Sequence, residues 1–126
     1  MAGYRWVRLD VDYFTNPKIV AISLDAKMLH LASITYAGKH MTDGQIAHRS
    51  LTVVGQLADI SPRWVRRRAT ELEEAKLWMP TPDGWYLHDF ETMNPQAMRH
   101  AVELERARWR ERQRRARGRR DGDVTP

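Results

Sequence analysis

The chain contains no cysteine, which excludes disulfides, a thiolate nucleophile and cysteine-based zinc sites. Its apolar stretches are far shorter than the roughly 20 residues that span a bilayer. The N-terminal residues also lack the apolar run of a secretory signal. No glycine-rich phosphate-binding loop is present. These absences predict a cytoplasmic protein without a membrane partner, and they leave few catalytic classes open.

Lysine is scarce, and the net positive charge lies at one end of the chain. Only 4 of the 21 basic residues are lysines, so arginine carries most of the positive charge. Residues 1–95 hold 11 basic and 11 acidic side chains, whereas residues 96–126 hold 10 and 5, so the net charge of +5 lies in the C-terminal part. A neutral body with a cationic arm is typical of a protein that meets a polyanion. The plainer alternative is a solvated charged end.

The first half of the chain predicts one strand and two helices. Alternation of apolar and polar residues over 4–11 indicates a half-buried strand. Ser23 is the expected N-cap of a helix from Leu24 to Ala37, with Gly38 as its stop. A shorter helix is expected over residues 46–57.

The second half predicts a helix, a hairpin and a final helix. Ser61-Pro62 is a strong start signal for a third helix that runs to about Lys76. Strand-forming residues flank the turn over residues 81–84, and a final helix extends from Pro95 to Arg117, with Gly118 as its terminator. The predicted fold class is α+β, mainly α: a winged helix-turn-helix with a β-hairpin wing and a long basic C-terminal helix. The predicted domains are a winged-helix domain (1–95), an arginine-rich helix (96–117) and a disordered tail (118–126).

The third helix carries the first set of candidate DNA-binding residues. Helical periodicity places Val65, Ala69 and Leu72 on the buried side. The opposite side is basic in its first turns and acidic at its end, which opposes the helix dipole, and an Arg67–Glu71 pair offsets this only weakly. A recognition helix presents its N-terminal part to the major groove. The candidates are Arg63, Arg66, Arg67 and Thr70; the alternative is a chance basic run on a solvated helix.

The hairpin and the last helix supply the remaining candidates. The wing turn carries no cation, and Trp85 and Tyr86 are interpreted as packing residues. Residues Met98–Trp109 form a seam that docks on the domain or pairs with a second copy in a homodimer. The candidate contacts of this helix to nucleic-acid phosphates are Arg106, Arg108, Arg110, Arg112, Arg114, Arg115 and Arg117.

Catalytic interpretations of the sequence are weak. Asp10 and Asp12 are expected on the polar face of a strand rather than at a metal, and His88-Asp89 lacks a serine or cysteine in a nucleophile motif. The five histidines show no metal-ligand spacing. The sequence therefore predicts a non-enzyme with no cofactor, no metal and no catalytic residue.

An ordered set of segments resembles a known family. The segments are Asp12-Tyr-Phe-Thr-Asn-Pro-Lys-Ile19, Leu24-Asp-Ala-Lys-Met-Leu-His-Leu31, Thr42-Asp-Gly-Gln-Ile46, Leu77-Trp78, Asp83-Gly-Trp-Tyr-Leu-His-Asp-Phe90 and Asn94-Pro95. Together they resemble the N-terminal winged-helix domain of phage replisome organisers and related phage helix-turn-helix proteins. The resemblance covers residues 4–95 and implies DNA binding at a replication origin or an operator, in the host cytoplasm if a phage encodes the chain. Unlike those organisers, this chain continues only into an arginine-rich helix.

The expected function is therefore a phage-type winged-helix DNA-binding protein that acts in replication initiation or transcription regulation. Two alternatives remain open. One is a protein–protein adaptor that uses the winged helix to dock on a host or phage protein. The other is RNA binding through the arginine-rich tail, since such segments often fold on RNA.

Overall fold

The computed structural model describes the backbone of residues 5–124 and the side chains of residues 5–120. This part of the chain is α+β and mainly helical, as predicted. The helices are α1 (Pro17–Val20), α2 (Leu24–His40), α3 (Leu51–Leu57), α4 (Pro62–Glu74), α5 (Phe90–Met93) and α6 (Arg99–Val124). The strands are β1 (Gln45–Ala47), β2 (Trp78–Thr81) and β3 (Gly84–Leu87). Short 3₁₀ turns cover Tyr13–Thr15, His48–Ser50 and Pro95–Ala97.

Helix α2 begins where the sequence predicts and ends later. The Ser23 side chain accepts a hydrogen bond from the Ala26 amide, which confirms the N-cap. The expected stop at Gly38 is wrong, because the helix continues to His40 and ends at Met41, whose φ is 52°. Gly38 serves packing instead: a Cβ there would lie 2.5 Å from the Val7 side chain.

The three strands form one antiparallel sheet in the order β1-β3-β2. Ile46 pairs with Trp85 across β1 and β3, and Trp78 pairs with Leu87 across β2 and β3. The β2–β3 hairpin confirms the predicted strand–turn–strand. The helix expected over residues 46–57 is wrong in its first part, because Gln45–Ala47 extend the sheet and the helix starts only at Leu51. A three-residue strand depends on its pairing partner, which local periodicity does not reveal.

The strand predicted over residues 4–11 is absent from residues 5–11, and Tyr4 lies outside the described residues. Individual contacts replace strand pairing in this segment. The Arg5 guanidinium donates to the carbonyl oxygens of Gly38 and Lys39 at 2.7 and 2.9 Å, and the Arg8 amide donates to the Asn94 side chain. The alternation of apolar residues was therefore a misleading signal.

Helices α2, α3 and α4 pack on one another and on the sheet around a single core. Leu29, Leu72 and Trp78 are fully buried. The indole nitrogen of Trp78 donates to the Ser33 hydroxyl at 3.2 Å, so this large side chain is buried without an unsatisfied donor. Close approach of α3 and α4 requires Gly55, where a Cβ would lie 2.5 Å from the Val65 side chain.

The C-terminal helix starts and ends later than expected. Pro95 opens a 3₁₀ turn, and α6 runs from Arg99 to Val124 through Gly118, so the expected helix end at Arg117 is wrong. Met98 and Val102 are buried, so the core extends past the boundary expected at residue 95. The division into domains and the disorder expected after residue 117 stay predictions; Thr125 and Pro126 lie outside the described residues.

Candidate nucleic-acid interface

Helix α4 exposes the basic face that the sequence predicts. Val65, Ala69 and Leu72 are buried, as expected from the periodicity. The candidate contacts Arg63, Arg66, Arg67 and Thr70 are all exposed. Among the described residues, none of the three arginines on this face forms an ion pair. The first two turns of α4 therefore present three cations free to meet an external anion.

Trp64 belongs to this face and was missed by the sequence reasoning. The Arg63 guanidinium lies 5.0 Å from the centre of the Trp64 ring, and that of Arg67 lies 5.8 Å from it. Both distances are within the range of cation–π attraction. The ring keeps 42% of its surface exposed. Its place one residue before Val65, off the apolar stripe of α4, was the available signal.

The acidic end of α4 serves contacts inside the protein. Glu71 accepts hydrogen bonds from the amide and the hydroxyl of Ser23, at 3.1 and 2.9 Å, and it forms an ion pair with Arg68. The expected Arg67–Glu71 pair is therefore wrong, because Arg68 lies on the side of α4 that faces Ser23. Glu73 accepts a hydrogen bond from the indole nitrogen of Trp85. By contrast, the exposed arginines at the basic end of α4 form no ion pair with the described residues of the protein.

The pKa of Glu71 reflects this position. Burial of the Glu71 carboxyl acts to raise its pKa, but hydrogen bonds from Ser23 and Arg68, together with the Arg68 charge, outweigh that effect and lower the pKa below 4.5. Glu71 is therefore ionised at neutral pH. It neutralises Arg68 and adds no free negative charge to the basic face.

The hairpin contributes packing rather than cations. Its turn consists of Pro82 and Asp83, and the Asp83 carbonyl accepts a hydrogen bond from the His48 amide at 3.0 Å. Trp85 is buried, which confirms its interpretation as a packing residue, and Tyr86 is partly buried beside it. The exposed carboxylate of Asp83 would repel a phosphate that came close to this turn.

Helix α6 carries the second set of candidates. Met98 and Val102 dock on the domain, whereas Leu104 and Trp109 keep about half and a third of their surface exposed, so only the first part of the predicted seam packs on this chain. Arg108, Arg110, Arg112, Arg114, Arg115 and Arg117 are exposed, and Arg106 is partly buried. The described ion pairs of α6 join Arg99 to Glu103 at 3.7 Å, Arg112 to Glu105 at 3.3 Å, and Arg114 and Arg115 to Glu111 at 2.6 and 3.2 Å.

The enzyme-like constellations do not assemble into a centre. Asp10 lies in a turn rather than on a strand, where its carboxylate accepts from the Asp12 amide at 2.7 Å. His88 contacts the exposed Asp89 carboxylate at 3.1 Å. Within the described part of the chain, no group of three or more histidine or acidic side chains is arranged to hold a metal ion.

The buried side chains of Tyr13 and His30 line a small cavity of about 190 Å³, which Asp10, His88 and Asp89 also line. The Tyr13 hydroxyl lies 2.7 Å from Nδ1 of His30, and the two rings stack. Burial lowers the pKa of His30 to about 4 and raises the pKa of Tyr13 to about 12. Both groups are therefore neutral at physiological pH, and their mutual hydrogen bond makes them a structural pair.

Over the described residues, no helix combines the length and the apolarity needed to cross a bilayer.

Comparison with known proteins finds no relative of this chain. No family model, curated protein or solved structure gives a significant match to this chain.

Proposed function

We propose that this chain is a phage-type winged helix-turn-helix DNA-binding protein without catalytic activity. The element order supports the proposal: three helices that pack on one another (α2, α3, α4) are followed by the β2–β3 hairpin, and β1 completes a sheet in the order β1-β3-β2. In this arrangement α3 and α4 are the helix-turn-helix and the hairpin is the wing.

The single observation that carries the proposal is the exposed cluster at the start of α4. Arg63, Arg66 and Arg67 form no ion pair among the described residues, and two of them stack on a partly exposed tryptophan. Guanidinium groups bind phosphates and the O6 and N7 atoms of guanine, often in a bidentate manner. We assign this cluster to a duplex contact with sequence preference, and α6 to the phosphate backbone. Both replication initiation and transcription regulation require such a contact.

The proposal is tested by selection of bound duplexes from a randomised pool. The full chain should enrich a defined motif, and the Arg63→Gln/Arg67→Gln variant should bind without that preference, since a lost bidentate base contact costs about 1–3 kcal/mol of discrimination. The matched control is Lys39→Gln/Lys76→Gln, which removes two exposed charges away from the cluster. Unchanged motif enrichment by the α4 variant would refute the assignment.

A protein-docking role is the second candidate, because α3, which packs on α4, also exposes apolar side chains. Val53 and Leu57 on α3 keep 48% and 61% of their surface exposed, and the packed neighbour α4 exposes Trp64. The wing turn is also free of cations. A partner bound through these side chains would be held with little dependence on salt, in contrast to DNA.

A further inference from the structure

Eight of the ten arginines of α6 fall into two stripes on nearly opposite sides of the helix. At about 100° per residue, Arg106, Arg110, Arg114 and Arg117 lie within a sector of about 80° and form the first stripe. Arg108, Arg112, Arg115 and Arg119 lie within a sector of about 60°, roughly 175° away, and form the second stripe. A run of charge with no directional role would not need this regularity.

The two faces between the stripes differ in chemistry. One face carries Trp109, Gln113, Ala116 and Arg120; Glu105 lies at its N-terminal end and is paired with Arg112. The opposite face carries Ala107, Glu111 and Gly118. Glu111 is an acidic residue in the middle of this opposite face, where it is paired with Arg114 and Arg115. Of the two faces, the first is the one suited to approach a polyanion.

We propose that α6 lies lengthwise in the major groove of duplex DNA, with each arginine stripe on the phosphates of one strand and the Trp109–Gln113–Ala116 face toward the base edges. This inference rests on the proposed function and deepens the part that α6 plays in it. The major groove is about 12 Å wide and admits a helix of about 10–12 Å diameter. A helix lying on a single backbone would leave one stripe without phosphates.

The length and the present contacts of α6 agree with this placement. From Arg106 to Arg119 the helix rises about 20 Å, which matches about six base pairs. Among the residues of this span, three arginines are held in exposed ion pairs. Exposed pairs contribute at most about 1 kcal/mol, so phosphates displace the glutamates at little cost.

The absence of cysteine from the natural chain gives a direct test of the orientation. Ala116→Cys and Ala107→Cys each place one thiol on an exposed small residue, on the face toward the bases and on the opposite face respectively. Both full-length variants are labelled with a photoactivatable azidophenacyl group and irradiated with a mixed-sequence duplex. The inference predicts a several-fold higher crosslinking yield to bases from position 116. Equal yields, or a higher yield from position 107, would overturn it.

Removing the positive charge of each stripe in turn provides a second, independent test of the groove placement. Arg→Gln substitution of all four residues in either stripe should lower the slope of log K against log salt by about 3–4, and by the same amount for both stripes. A large effect from one stripe alone would place α6 on a single backbone and overturn the groove placement. Tighter binding of the same variants to an RNA hairpin than to the duplex would overturn the choice of DNA. If the unsubstituted chain failed to bind duplex DNA at all, the proposed function itself would fall.

Discussion

At the scale of single residues, Glu71 and Trp64 divide α4 into a structural end and an exposed end. Glu71 links the start of α2 to α4 through Ser23 and Arg68, across 48 residues of sequence. Trp64 holds two arginines on the outer surface. The exposure of the arginines was predictable from helical periodicity alone. The role of Glu71 was not, because it depends on a partner distant in the chain.

We predict that Glu71→Gln lowers the free energy of unfolding by about 1–2 kcal/mol at pH 7, because hydrogen bonds to a charged acceptor are the stronger ones. The lowered pKa of Glu71 means that its contribution is present above pH 4.5 and is lost as the pH falls through its folded value. The difference between the two proteins should therefore shrink in acid. Urea unfolding at several pH values measures it. The control is the exposed Glu74→Gln, and an equal loss of stability in both variants would contradict the assigned role of Glu71.

Burial of the His30–Tyr13 pair makes the free energy of unfolding depend on pH between about 4 and 6.5, which is mostly above the acidic range of the Glu71 effect. The pKa of His30 is about 4 in the folded chain and 6.5 as its ordinary value, so between these values the unfolded chain binds a proton that the folded chain excludes. Stability is therefore complete above pH 6.5 and falls as the pH drops toward 4, by at most about 1.4 kcal/mol per pH unit.

The measurement is urea unfolding between pH 7.5 and 5. We expect His30→Gln to remove most of this pH dependence, whereas His100→Gln, on the exposed surface of α6, should retain it. A wild-type stability that does not change over this range would mean that His30 binds its proton as readily in the folded as in the unfolded chain, which would contradict its burial as a neutral group.

At the scale of elements, the sequence predicted those structures whose signals are local. The Ser23 cap, the Ser61-Pro62 start and the turn before Gly84 correctly located α2, α4 and the hairpin. The errors arose where tertiary contacts decide. Residues 5–11 alternate like a strand but contact Gly38 and Asn94 singly, and β1 exists because β3 pairs with it. Gly55 and Gly118 illustrate the same point, because a Cβ at Gly55 would meet the Val65 side chain whereas a Cβ at Gly118 would meet no atom.

Gly55 and Gly118 should respond in opposite directions to substitution by alanine. A Cβ at Gly55 would meet the Val65 side chain at 2.5 Å, so Gly55→Ala should destabilise the protein by about 1–3 kcal/mol through overpacking of α3 against α4. A Cβ at Gly118 meets no atom within 4 Å, so Gly118→Ala should raise the local stability of α6 by about 1 kcal/mol.

Thermal unfolding measures the effect of Gly55→Ala, and amide hydrogen exchange around residue 118 measures the local effect in α6. Unchanged thermal stability for Gly55→Ala would contradict the close packing of α3 on α4. Faster exchange near Gly118→Ala would contradict a continuous helix through that position.

At the scale of the whole molecule, the buried core ends within α6 before the arginine-rich part of that helix begins. The last buried side chain of the described chain is Val102, whereas the candidate phosphate contacts of α6 begin at Arg106. A chain that ends at Glu105 therefore retains the complete core. It carries 12 basic and 13 acidic residues, a net charge of −1. Any affinity of this shortened chain for DNA must come from a local cluster, and the arginines of α4 are the cluster that the structure exposes.

The most direct test is a fluorescence-anisotropy titration of mixed-sequence duplex DNA with the full chain, with the chain ending at Glu105 and with a shortened Arg63→Gln/Arg67→Gln variant, at several salt concentrations. We predict that the full chain binds most tightly and with the steepest salt dependence. The shortened chain should still bind at low salt, and the double substitution should abolish that binding. No binding by the folded shortened chain at low salt, or binding unaffected by the substitutions, would contradict the claim that α4 contacts DNA.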